Sequence, residues 1–395
     1  MDRRLNVVEI IAGFSIEKPL GGIERFVVEL CRRLDPQQFA VSVFGLWDFG
    51  TPYNRRWIAS LNEAGIETFE GGRWDETHPY QSFVRSFRLL EQTLLARPVD
   101  ILHSHDQFGD VMLLLLKHRL PRARLVRTTH NHREWRRSPL RRALLWGLAY
   151  PIGYDVEIGL NRVMVDGLNR RLAARLLKKK ALLIPNALNL ERFQTAGAPP
   201  LELKEALGIP RDGLVVGSVG RLTEQKGYGD LLRAAQIVLA RDARVTFVLV
   251  GSGELEAALK QQAQELGIAE RVIFAGPRAD IERLIHIFDV FASSSLWEGL
   301  PTVVMESMAA GIPVVGTDIP GTRDLITHQV SGLLAPPGDP RALAEQICFA
   351  LQNPELRAEW AQRARQEVEK HSINRVAAQY EALFLQLAGF RQAQP

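Results

Sequence analysis

Two glutamates, Glu298 and Glu306, stand eight positions apart in WEGLPTVVMESMAAGIPVV, residues 297–315, a stretch otherwise apolar or small. A carboxylate buried without a partner is costly. Glu298 falls just ahead of a helix start marked by Pro301. A carboxylate placed there is favoured by roughly 0.3–1 kcal/mol against the helix dipole. Glu306 lies further along that helix, among Val303, Val304, Met305 and Met308. The hydroxyls of a bound sugar or ribose would give it partners, and so would a structural hydrogen bond.

A second cluster, VGRLTEQKGYGD, ends a strand at Arg221 and sets Lys226 in the turn before a helix. Two cations beside a helix start form a diphosphate clamp, because amides and charges point at the same anion. Arginine and lysine also flank many ordinary turns. In FSIEKPLGGIERF, Gly21 and Gly22 separate the first strand from the first helix. The pair serves either close approach of a phosphate or sugar, or a flexible turn. GSGE, residues 251–254, is half of a dinucleotide fingerprint and a poor signal.

Histidines form two His-x-His pairs, His103/His105 and His130/His132, each near a strand end. Alternation places each pair on one sheet face, an arrangement that suits a metal. No cysteine joins them and the chain has no Asp-x-Asp pair. The expectation is no metal site and a polar contact from a strand end, with His130 the better candidate.

The elements that must carry these residues alternate between short apolar strands and amphipathic helices. Strands are expected at residues 7–12, 40–45, 66–69, 101–105, 125–129, 156–160 and 182–185. Between them lie helical patterns such as Phe26, Val27, Leu30 and Leu34. A new series starts at LVVGSVG and continues through VTFVLVGSG, RVIFAG, VFASSS and PVVGTD. Residues 186–210, rich in Ala, Pro and Gly, read as a linker, and residues 340–390 as mostly helical. Two doubly wound parallel-sheet α/β domains follow. Ligands of such sheets bind beyond the carboxyl ends of the strands, so two facing sheets would leave a cleft at the domain boundary.

Bulk composition agrees. A chain of 395 residues, 46% hydrophobic and 24% charged, is that of a globular protein with two sizeable cores. Cys31 and Cys348 are too few for a disulfide framework, which points to a reducing compartment. LNVVEIIAGF carries Glu9 and reads as a buried strand, not a signal peptide. No apolar run reaches the roughly 18 residues of a membrane span. A cytoplasmic location is expected. The net charge is only +4, yet residues 117–180 hold seventeen Lys and Arg against Glu134, Asp155, Glu157 and Asp166. That block suits an anionic partner or a solvated face balanced elsewhere.

Taken together, the motifs resemble retaining glycosyltransferases of the GT-B fold, and specifically glycosyltransferase family 4. The resemblance spans nearly the whole chain. It rests on the Glu298–Glu306 spacing, GRLTEQKG, LVGSGELEAAL, VIFAG, the GGIER loop and VSGLLAPPGDP. It implies an acceptor-binding domain at residues 1–186, with a final helix at 374–392 crossing back to it, and a donor-binding domain at 187–373. By the same resemblance Arg221 and Lys226 neutralise the donor diphosphate, Glu298 holds the transferred sugar and Glu306 the ribose. Leu300, Thr302 and Val303 add donor contacts at the helix start. Gly21 and Gly22 line the cleft, and His130 approaches the sugar. Family members retain the anomeric configuration and need no cofactor or metal.

The implied donor is a UDP- or GDP-linked sugar, and the implied acceptor a cell-surface glycan or lipid-linked precursor. The basic block, which includes RRSPLRRALLWGLAY, is expected to touch an anionic membrane, making the protein peripheral on the inner face of the cytoplasmic membrane. Two departures bear on donor choice. The family's Asn-Gly-Val-Asp appears as Asn186-Ala187-Leu188-Asn189, and its Gly-Gly pair as Pro320-Gly321. Competing readings are a sugar-nucleotide epimerase or a phosphorylase on the same fold, and a non-enzymatic sugar-nucleotide or nucleic-acid binder. Trp135, Trp146 and Tyr150 interleave with the basic residues, but no nucleic-acid module is visible, so no nucleic-acid partner is expected.

Overall fold

A computed structural model describes residues 3–14, 22–130, 135, 138–194 and 200–389. The chain divides into two compact units. Among the described residues, unit 1 takes those up to Ala187 and the final segment from Ile373, and unit 2 takes those from Leu188 to Ser372.

Unit 1 is a seven-stranded sheet. Its strands are β1 (Leu5–Ile11), β2 (Phe39–Asp48), β3 (Glu67–Arg73), β4 (Ile101–Ser104), β5 (Arg124–Thr129), β6 (Val156–Gly159) and β7 (Leu182–Leu183). All pairings are parallel, in the order β3-β2-β1-β4-β5-β6-β7. One face packs under the helices Gly22–Arg33 and Ile373–Leu387 through Phe26, Val27, Tyr380 and Phe384. The other face holds Leu46, Leu90, Met112, Tyr150 and Tyr154. Burial on both faces explains why β1 reads as a near-continuous apolar run.

Unit 2 repeats the scheme with six strands: β8 (Leu214–Val219), β9 (Val245–Val250), β10 (Val272–Gly276), β11 (Val290–Ser293), β12 (Val314–Thr317) and β13 (Leu333–Ala335). The order β10-β9-β8-β11-β12-β13 is again parallel throughout. In each sheet the chain runs outward from its first strand and then returns to that strand's other side. The switch points therefore lie between β1 and β4 and between β8 and β11, where α/β sheets open a crevice for ligands.

Three expectations need correction. The sequence 186–210 is not simply a linker, because Leu190, Phe193, Leu203 and Ile209 are buried and Leu201–Ala206 is helical. Within it only 195–199 lie outside the described residues. β13 went unanticipated, since three residues give too little periodicity to stand out. β7 is two residues, Leu182–Leu183, and not the four expected.

Candidate active site

The loops leaving β8 and β11 carry the candidate residues of unit 2. After β8, a short 3-10 turn (Glu224–Lys226) leads through Gly227 into the helix Tyr228–Arg241. Gly227 has φ +62, and a Cβ there would come within 2.2 Å of the Ser294 carbonyl oxygen. Only glycine allows the two loops to touch so closely. Ser294 Oγ donates to the Lys226 carbonyl at 2.8 Å, and Leu296 N donates to the Gln225 carbonyl at 2.8 Å.

This contact brings together residues 72 positions apart. Lys226 Nζ donates to Glu298 Oε1 at 2.6 Å, and Ser295 Oγ donates to the same oxygen at 2.9 Å. Gln225 Nε2 reaches Glu298 Oε2 at 3.1 Å and the Trp297 carbonyl at 3.0 Å. Glu298 is 8% exposed, so its charge is met inside the protein and not by water. Burial raises the Tyr228 hydroxyl pKa, and the Glu298 charge raises it further.

The remaining residues of the cluster sit nearby in the chain. Arg221 is exposed and has no ion pair among the described residues. Leu300 is buried, and Thr302 and Val303 open the nine-residue helix Thr302–Ala310. Amides at a helix start lack intrahelical acceptors and attract anions. Glu306 is 4% exposed on the same helix. It already interacts within the folded chain, so a ligand is not its only source of a partner.

In unit 1, Gly22 begins the helix Gly22–Arg33, while Gly21 and His132 lie outside the described residues. His103 and His105 converge on Glu9, which the sequence reading treated only as a mark against a signal peptide, and His130 joins them through His105. Glu9 on β1 and His103 on β4 are register partners. Glu9 Oε2 is 2.8 Å from His105 Nε2 and 2.9 Å from His103 Nδ1, the second contact poorly aligned for a hydrogen bond. His105 Nδ1 lies 3.0 Å from His130 Nε2. His103 Nε2 lies 2.8 Å from Thr128 Oγ1, which lies 3.1 Å from the Tyr380 hydroxyl. Burial alone would raise the Glu9 carboxyl, but the electrostatic influence of the neighbouring His103 and His105 outweighs it and brings it down to about 2. Burial lowers His105 to about 4 and His130 well below its usual value.

The basic block is not one surface. Arg127 and Arg171 are buried and share Glu157, at 3.0 Å from Arg127 Nη1 and 3.0 Å from Arg171 Nη1. Arg127 Nε also donates to Asp110 at 2.9 Å. Alternation along β5 sends Arg127 to the face opposite Val126 and Thr128, a placement that counting charges along the chain does not reveal. Arg162, Arg170, Arg175, Lys178 and Lys180 are exposed and have no acidic partner among the described residues. Sequence reasoning also missed Gln225 and Ser295. The available signals were Gln225's place beside Lys226, and a lone acid inside an apolar strand for Glu9.

Residues 201–367 match the family model of glycosyl transferases group 1, and residues 20–192 match that of glycosyltransferase family 4. The putative glycosyltransferase EpsF of Bacillus subtilis is 25% identical over 79% of this chain and 79% of its own. An Escherichia coli UDP-Gal:alpha-D-GlcNAc-diphosphoundecaprenol alpha-1,3-galactosyltransferase is 34% identical over 46% of this chain and 44% of its own. The crystal structure of Anabaena HepE in complex with UDP and glucose superposes with a TM-score of 0.81. That pair is 19% identical, over 97% of this chain and 100% of HepE, a likeness of fold.

Proposed function

Since the chain belongs to the group 1 glycosyltransferases of family 4 and has the GT-B fold, we propose that it transfers a sugar from a UDP- or GDP-linked donor to a glycan or lipid-linked glycan precursor, retaining the anomeric configuration without a bound metal. The observation that carries this reading is the Lys226–Glu298 pair at the β8/β11 switch point, with Arg221 unpaired on the same loop as Lys226.

In this reading the bond from the anomeric carbon to the diphosphate breaks, and a bond to the acceptor oxygen forms on the same face. The acceptor's proton passes to the departing phosphate. Negative charge grows on the diphosphate as the bond breaks. Arg221, Lys226 and the amides of Thr302 and Val303 stabilise that charge more in the transition state than before it. Glu298 orients the sugar through its hydroxyls and keeps Lys226 aligned. Glu306 takes the ribose and Leu300 packs at the donor. The acceptor class is drawn from the diphosphoundecaprenol-linked substrate named for the Escherichia coli relative.

A donor screen tests this reading. Incubation with UDP-glucose, UDP-galactose and GDP-mannose should release nucleotide diphosphate from at least one of them, faster when a lipid-linked acceptor is added. No release from any sugar nucleotide, with or without acceptor, would reject it.

Among the described residues no helix is long and apolar enough to cross a membrane. Unit 1 instead offers a surface for one. Residues 139–153 are helical, the middle (Arg142–Ala149) wound as a π-helix. Leu140, Leu144, Leu148 and Ile152 recur every fourth residue and are each 49% to 70% exposed. Leu172 and Leu176 are exposed as well, near Arg170, Arg175, Lys178 and Lys180 in the chain. Exposed leucines combined with unpaired cations suit the headgroup region of an anionic bilayer, with each cation contributing about 1 kcal/mol. The protein should therefore float with phosphatidylglycerol vesicles and far less with phosphatidylcholine. Leu144→Glu with Leu148→Glu should cut the bound fraction at least tenfold. Equal recovery with both lipids would remove the membrane from the reading.

A further inference from the structure

The chain of buried groups in unit 1 fixes where its protons sit. A carboxylate only accepts hydrogen bonds, so the proton between Glu9 Oε2 and His105 Nε2 belongs to His105. A neutral imidazole has one donor and one acceptor, and burial keeps His105 neutral. Its Nδ1 must therefore accept, which assigns the proton of the next bond to His130 Nε2. His130 is held neutral by the same burial, and its Nδ1 carries a lone pair that no described group uses. Glu9 and His103 are fully buried and His105 nearly so, whereas His130 is partly exposed just beyond the carboxyl end of β5. Phe26 packs edge-on against both His105 and His130 and limits ring rotation.

We propose that Glu9, acting through His105, locks His130 as the Nε2-protonated tautomer, so that His130 Nδ1 accepts a hydrogen bond from a sugar hydroxyl presented beyond the carboxyl end of β5. Glu9 and His105 are positioning residues in this arrangement, and His130 is the contact. The identity of the hydroxyl rests on the transfer reading above. A hydroxyl can donate to Nδ1. A carboxylate or carbonyl at that place would meet a lone pair with a lone pair and be rejected, so the relay selects a neutral, hydroxyl-bearing sugar at this contact.

The same atoms of Glu9, His103 and His105 lie within 4.8 Å of one another and could face one divalent ion. Two observations favour the relay. Glu9 Oε2 and His105 Nε2 already bond each other, and the rings of Phe26, Tyr380 and Phe384 pack against His105 and His103, which are buried.

The full chain labelled with ¹⁵N in its histidine rings distinguishes these cases, with His130→Asn identifying the His130 signals. In the wild type at neutral pH, His130 should show a protonated Nε2 and a bare Nδ1. Glu9→Gln should lose this fixed assignment, because the glutamine amide can present its oxygen or its NH2 to His105 Nε2, and the NH2 orientation pushes each following proton to Nδ1. Nucleotide diphosphate release from the sugar nucleotide used best in the screen should fall roughly tenfold or more in kcat/KM. Glu9→Asp should recover part of that loss. A wild-type His130 that is Nδ1-protonated or doubly protonated overturns the proposal, as does stoichiometric zinc in the purified chain. Wild-type turnover by a folded Glu9→Gln variant overturns it too, and if Arg221→Ala abolishes release in the same assay the transfer reading stands alone. If no sugar nucleotide is consumed, the transfer reading fails while the wild-type spectrum still decides the tautomer. That spectrum also decides the case if Glu9→Gln does not fold.

Discussion

Arg221→Ala is expected to lower nucleotide diphosphate release by at least tenfold and leave unfolding unchanged, whereas Lys226→Ala should lower both. Removing one preorganised donor from a developing oxyanion typically costs about 10²–10³ in rate, so tenfold is a cautious bound for either cation. Their structural settings differ. Arg221 is exposed and unpaired, and its loss orphans nothing among the described residues. Lys226 holds Glu298 at 2.6 Å, and the two side chains are 18% and 9% exposed. Taking the lysine away leaves a buried carboxylate supported, among the described residues, by Ser295 and Gln225. Such a loss costs up to roughly 3–5 kcal/mol. Steady-state release and denaturant unfolding of both variants check this. Glu306→Ala should also lose at least tenfold in release, through the ribose contact. Wild-type release by both Lys226→Ala and Glu306→Ala would contradict the site assignment.

Glu157→Ala should produce the largest loss of stability among the variants considered, roughly 3–5 kcal/mol. Glu157 answers two buried guanidinium groups, Arg127 and Arg171, and stands between them. Arg127 keeps Asp110 and stacks 4.2 Å over the Tyr150 ring, so part of its environment survives. Arg171 keeps backbone acceptors at Leu168 and Trp146 but loses its carboxylate. Neither cation can shed its proton, so the cost cannot be avoided by titration. Glu157→Gln retains one acceptor and should lose less than Glu157→Ala. The urea midpoint followed by tryptophan fluorescence reads the effect, since Trp146 lies beside Arg171 at 5.1 Å. A Glu157→Ala loss below about 1 kcal/mol would show that the network does not support unit 1.

Much of the architecture was legible because its signals are local. VTFVLV reads as a strand buried on both faces and forms β9, Val245–Val250, buried throughout. Pro301 after VFASSS marks the start of the helix Thr302–Ala310, which places Glu298 ahead of it. Lys226 in its turn and His130 at a strand end were legible for the same reason. The charge count over residues 117–180 overstated the exposed charge, because a tally along the chain ignores which face each residue takes, and β5 turns Arg127 inward.

By itself, then, the order of residues determined the strand–helix alternation, the two series of elements and the positions of Arg221, Lys226, Glu298 and Glu306 relative to element ends. It could not determine that Lys226 bonds Glu298, that Glu9 gathers His103 and His105, or that Glu157 lies between two arginines. Periodicity reports on neighbours two to four positions away. Those contacts instead depend on strand order, on β11 returning beside β8 and β4 beside β1, which only the packing of crossover helices on both sheet faces decides.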